Sequence, residues 1–194
     1  MTLTKVAGII AGILAIAAYV PYVIAILRRQ VKPNRASWFI WATMDVLTLG
    51  SYFSAGARNT LWVLISFTVG AVIIAALSLK YGERSWSWLE TTCSVGASIS
   101  ILMWIITKSP LPVLLLSIGI VSLGAIPTIR KVYRDPSGES RLTWALFLLA
   151  CAANLFAVER WEFAIWIFPV FAFLFDGTVA VLVFWPRKKS PPVS

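Results

Sequence analysis

The chain has 194 residues, 59% of them hydrophobic and only 13% charged, and it carries ten tryptophans, a balance too apolar for a water-soluble domain and fitting an all-α, polytopic membrane protein. The formal net charge of +9 does not point to nucleic acid, because the basic residues fall in short clusters between apolar runs, the distribution that sets membrane orientation. Histidine is absent, which removes the commonest metal ligand and the usual proton shuttle, and Cys93 and Cys151 sit inside apolar runs as small buried side chains rather than as a disulfide or metal pair.

The first apolar run, residues 6–27, is long enough to cross a bilayer and ends at Arg28 and Arg29, not at the small residues of a cleavage site, so it is kept as a first helix. Gly8 and Gly12 give it a face of small residues for close helix packing. Pro21 lies seven residues before Arg28, about two turns or about 10 Å along the axis, where a proline marks a kink or hinge. A short second helix is expected over residues 37–53, and a third over 61–79 after a turn containing Gly56, Arg58 and Asn59. A fourth covers 86–107 and is closed by Lys108, Ser109 and Pro110; a fifth covers 111–129, with Pro127 near its end; a sixth and a seventh follow over 142–158 and 163–185. The remaining PRKKSPPVS is proline-rich and charged, the composition of a disordered tail.

The stretch PYVIAILRRQVKPNRASW at 21–38 returns as PTIRKVYRDPSGESRLTW at 127–144, a constant shift of 106 residues that pairs Arg28 with Arg134, Arg35 with Arg141, Ser37 with Thr143 and Trp38 with Trp144. One supersecondary unit is therefore used twice. The unit holds three helices, so the unpaired fourth helix is what lets both copies run in the same sense, related by an axis along the membrane normal. The expected organisation is a first three-helix bundle at residues 1–80, a linker helix at 81–110, a second three-helix bundle at 111–185 and a cytoplasmic tail at 186–194, that is, seven transmembrane helices in a 3+1+3 parallel-repeat arrangement. With the N-terminus outside, thirteen of the seventeen basic residues fall on the inner side, which places the chain in the cell membrane as a multi-pass protein with a cytoplasmic C-terminus. The loop arginines Arg28, Arg35, Arg134 and Arg141 read as topology determinants and lipid-phosphate contacts.

This layout, the proline late in the first and fifth helices, the basic loops and the N-out orientation resemble the superfamily of SWEET, SemiSWEET and PQ-loop transporters. Within it, KPNRASWFIW and AIPTIRKVYRDPSGES resemble a bacterial group of integral membrane proteins with no assigned substrate. The resemblance implies that Pro21 and Pro127 match the hinge prolines of the family. The pattern differs at the signature itself, with Pro21-Tyr22 and Pro127-Thr128 in place of Pro-Gln, and Ser66 and Val170 align where sugar-carrying relatives have a pocket asparagine.

Trp38, Trp41, Asp45, Thr48 and Tyr52 follow the spacing 3, 4, 3, 4 and so share one face of the second helix. Their repeat-related positions are Trp144, Phe147, Cys151, Asn154 and Val158. The two faces together would wall a cavity with aromatic rings and a few polar groups, the usual make-up of a small-molecule site. Trp38 and Trp144, at the inner boundary, also fit the role of interfacial anchors. Asp45 and Asp176 are the acids far from any helix end, about 12 and 13 Å in, and mid-membrane carboxylates mark a cavity, a substrate path or a proton path. The expected substrate-binding residues are thus Trp41, Asp45, Thr48, Asn154 and Asp176, with Pro21 and Pro127 as hinges. Glu159 and Glu162 flank Arg160 in an outer turn and read as solvated surface.

No nucleophile stands beside a histidine, no glycine loop is built to cradle phosphate and no metal-ligand spacing occurs, so neither an enzyme nor a cofactor is implied. The expectation is a transporter of a small polar solute, a sugar, an amino acid or similar, working by alternating access between the two bundles. The alternative is a ligand-binding membrane receptor or accessory subunit on the same frame. The partners are the small-molecule solute and the lipid bilayer, with protons a candidate through the two aspartates and homo-oligomer formation left open.

Overall fold

The computed structural model describes residues 2–84, 86, 88–134, 136 and 140–185; the side chains at 89, 90, 124, 127, 128 and 131 lie outside that description, as does the expected tail at 186–194. The fold is all-helical. Among the described residues seven α-helices follow one another: α1 Leu3–Leu27, α2 Arg35–Ser54, α3 Leu61–Tyr81, α4 Trp88–Thr107, α5 Pro110–Arg134, α6 Arg141–Phe156 and α7 Phe163–Phe184. Three of them, α1, α3 and α7, are long and apolar enough to cross a membrane. Only 28% of the most apolar window of α1 is buried within the protein, and large apolar side chains such as Ile13, Val46, Leu102 and Leu174 lie on the outer surface.

Local chemistry explains several helix ends. α5 begins at Pro110, where the missing N–H costs nothing and φ is already helical. It runs past the expected boundary to Arg134, because Arg130 and Arg134 favour the negative end of the helix dipole instead of terminating it. α1 closes in a Schellman motif: Arg29 adopts φ 58°, and the N–H groups of Gln30 and Arg29 donate to Ala25 and Ile26. The repeat is visible in the caps. Asn34 Oδ1 accepts from the Ser37 N–H at 3.1 Å at the start of α2, and Ser140 Oγ accepts from the Thr143 N–H at 3.3 Å at the equivalent start of α6.

The constant shift does not persist to the other end of that helix. Carried over from Ser54, it would end α6 at Arg160, but α6 ends at Phe156 and α7 begins four residues before the position equivalent to Leu61. The second unit therefore has a shorter middle helix, and its turn comes early.

Packing follows one scheme in both halves. α3 lies between α1 and α2, and α7 lies between α5 and α6; across the two halves α1 packs on α6 and α2 on α5. Exchanging the first three helices for the last three leaves this set of neighbours unchanged, apart from a minor contact of α3 with α6. α4 stands outside the scheme and packs on α2 and α5, so it covers one seam between the halves. Its Trp104 ring lies where a Cβ on Gly50 would be, 2.3 Å away. The expected small-residue face of α1 is used as well: a Cβ on Gly8 would meet the Asn59 carbonyl, and one on Gly12 would lie 3.0 Å from Trp62, so α1 and α3 approach closely only because both positions are glycine.

Arg35 does more than the orientation role expected of it. Its guanidinium donates to the carbonyls of Ser78 at 2.8 Å and Leu79 at 2.5 Å in the last turn of α3; the first of these also accepts from the Gly82 N–H. This ties the start of α2 to the end of α3.

Candidate functional site

A cavity of about 730 Å³ lies between the two halves. α2 contributes Trp38, Trp41, Asp45 and Thr48, the first four members of the face read from the 3, 4, 3, 4 spacing. α6 contributes the repeat-related Trp144 and Phe147, and α7 contributes Phe171, Phe175 and Asp176. Pro21 lines the wall from α1 alongside Tyr19 and Tyr22. The backbone of Pro127 belongs to α5, but its ring lies outside the described residues.

The rings hold one another. Tyr19, Phe67 and Phe147 form an edge-to-face trio, with Tyr19–Phe147 centroids 5.2 Å apart and Phe67–Phe147 5.7 Å apart. Trp38 and Trp41 meet edge to face at 5.0 Å, and Trp144 stands over Phe147 and Phe175 at 6.0 and 6.2 Å. Tyr19 fits because Gly70 of α3 leaves room: a Cβ there would be 2.5 Å from the phenol ring.

The two carboxylates are held differently. Among the described residues Asp45 has no hydrogen-bond or ion-pair partner, and it faces the cavity. Asp176, 5% exposed, accepts from the Cys151 thiol at 3.0 Å through Oδ2. Cys151 is the repeat equivalent of Asp45, so the place that carries a free carboxylate in α2 carries, in α6, the donor to the other carboxylate. Both acids line the same cavity as the Tyr19 phenol. Asn154, expected in the site, does not line the cavity: it is fully buried, and neither its amide nitrogen nor its oxygen has a partner among the described residues. Trp38 and Trp144, for which a cavity wall and an interfacial anchor both fit the sequence, line the cavity.

At one end the cavity reaches the connections between α1 and α2 and between α5 and α6, where Val31, Lys32 and Ser140 line it. The opposite end is closed by a core cluster that draws on both halves, including Tyr52, Leu64, Leu114, Val158, Ile165 and Phe168. Tyr52 is fully buried, bonded to Thr60 Oγ1 at 3.0 Å, and donates to the carbonyl of Ile165 in α7. That carbonyl is without its helical partner, because the residue four positions on is Pro169, which has no N–H. A side chain from one half therefore satisfies a proline-freed acceptor in the other.

Nearby, Glu159 accepts from the backbone N–H of Arg58, and Arg160 reaches the Gly56 carbonyl at 3.4 Å while pairing with Glu162 at 3.3 Å. Glu159 is thus not the solvated side chain expected from sequence; the early turn after α6 folds it against the α2–α3 connection, and its Oε2 is buried. Among the described residues no group of three or more His, Cys, Asp or Glu is placed to hold a metal ion. No family model matches the chain, and neither a curated protein nor a solved structure does.

Proposed function

We propose that the chain is a membrane transporter for a small solute, with seven spanning helices in a 3+1+3 arrangement and two three-helix bundles that rock about a central site. The observation that carries this reading is the cavity between the halves, which reaches the chain connections at one end and is sealed at the other by contacts crossing from half to half. A chamber of this kind is one of the two states that alternating access needs. The exchangeable neighbour scheme supports the parallel repeat, and the extent of apolar outer surface supports a lipid surround.

In this reading the sealed end is the outer gate and the mouth beside Lys32 and Ser140 faces the side that holds most of the basic residues. Pro21 sits in the cavity wall where α1 would bend, and Pro169 provides a second break in the hydrogen-bond ladder at the gate itself. The test is uptake into sealed vesicles containing the purified chain. Saturable, protein-dependent accumulation of a solute that also raises the melting temperature is expected. A ligand that stabilises the protein without crossing the vesicle membrane would favour a receptor or accessory subunit instead.

A further inference from the structure

We propose that the cavity takes a lipophilic organic cation: an ammonium or similar centre carrying apolar or aromatic groups and no carboxylate. The inference deepens the transporter reading and rests on it for passage across the membrane, whereas binding can be tested alone.

Ten of the residues lining the cavity are aromatic, and the negative face of a ring attracts a cation and repels an anion. Among the described residues two carboxylates line the same chamber, one without a hydrogen-bond or ion-pair partner and the other held by a thiol. A carboxylate in so apolar a chamber either takes up a proton or holds a positive companion, and a cation that enters the chamber favours the ionised form. Among the described residues no arginine lines the cavity, and the one lysine that does, Lys32, is exposed at the mouth.

A sugar would require many hydrogen-bonding groups where the walls offer mostly rings. A zwitterionic amino acid would bring its own carboxylate among Asp45, Asp176 and the ring faces, where the one lining base among the described residues is Lys32 out at the mouth. A bare inorganic ion needs a shell of several oxygen ligands at close range, which a chamber of about 730 Å³ with two carboxylates does not supply. That volume lies in the range of sites for drug-sized molecules.

The measurement is quenching of tryptophan fluorescence in the full-length protein in detergent, with tetraphenylphosphonium and, separately, tetraphenylborate, which share a shape and differ in the sign of charge. Saturable binding of the phosphonium is expected, at least about tenfold tighter than the borate, since the rings and the carboxylate discriminate in the same direction. Asp45→Asn, checked for an unchanged elution profile and melting temperature, is expected to weaken the phosphonium at least about tenfold, and Asp45→Glu to retain most of the affinity. Equal affinity for the two ions in the wild-type protein, no saturable phosphonium binding, or an Asp45→Asn variant that binds like wild type would each overturn the proposal; the first two need no variant to fold. Phosphonium binding without protein-dependent uptake into vesicles would leave the cation site standing and remove the transporter reading. Uptake of a neutral solute by a chain that does not bind phosphonium would do the reverse.

Discussion

Replacing Tyr52 with phenylalanine removes one oxygen from the centre of the sealed end and little else. The ring is fully buried, packs against Phe168 with centroids 5.8 Å apart, and would keep that place. The carbonyl of Ile165 would lose the donor that stands in for the absent N–H of Pro169, and Thr60 would lose its partner as well. A buried acceptor left without a partner costs ~1–3 kcal/mol. This cost falls on the state described here; in a state opened at that end, water reaches the carbonyl and supplies the bond. The difference would shift the balance towards the open state by ~5–150-fold. Spin labels at Ser54→Cys and Trp161→Cys, both on exposed positions of the two halves at that end, report the separation by pulsed electron resonance. The expected result is growth of a longer-distance population in Tyr52→Phe. If the melting temperature falls while the distance distribution stays as in wild type, the bond is present in both states and the gate reasoning fails.

Pro169→Ala restores an N–H to Ile165, so Tyr52→Phe should shift the distance distribution far less in that background than alone, a non-additivity that a double-mutant cycle measures. Asn154→Leu replaces an unpartnered buried amide with an apolar side chain of similar size and should raise thermal stability by ~1–3 kcal/mol; a loss of stability would show that the amide is bonded after all. Gly12→Leu should separate α1 from α3 at Trp62 and lower the yield of folded protein, whereas the same change at Gly119, where a Cβ meets nothing within 4 Å, should be tolerated. For orientation, Trp161→Cys should be labelled by impermeant reagents in intact cells and Ser140→Cys only after they are opened; the opposite pattern would reverse the assignment of outer and inner ends.

The helix periodicity made one wall of the cavity legible, because Trp38, Trp41, Asp45 and Thr48 recur at helical spacing and all four face inward. It could not show where that wall ends. Tyr52 continues the same stripe, yet it belongs to the seal, and the reason lies in α7, where Pro169 frees a carbonyl at the same depth. Asn154 stands at the position equivalent to Thr48, yet it is buried outside the cavity that Thr48 lines, a departure from the repeat that a constant shift in sequence does not reveal. Tyr19 was missed because α1 was read for packing and bending alone. Its signal was there, a polar aromatic two residues before Pro21, but its position depends on Gly70 in another helix, and such a pairing leaves no trace in local spacing. The Cys151–Asp176 contact is of the same kind: each residue was noted separately, and only the packing of α6 on α7 joins them.

What duplication supplied and what divergence altered can be separated at Asp45 and Cys151. A faithful repeat would place a carboxylate at both positions, setting a third acid directly beside Asp176. A thiol at 151 avoids the third acid and donates to Asp176, leaving Asp45 as the carboxylate without a protein partner among the described residues. The backbone frame is close to two-fold symmetric in its neighbours while the site within it is lopsided. A cation drawn to the ring-lined chamber would then find its strongest companion on the α2 side, against Trp41 and Trp38, with Asp176 already occupied by a donor on the other. Removing the two acids should therefore have unequal consequences: Asp45→Asn should take away most of the charge selectivity, and Asp176→Asn, which leaves Asp45 in place, the smaller part.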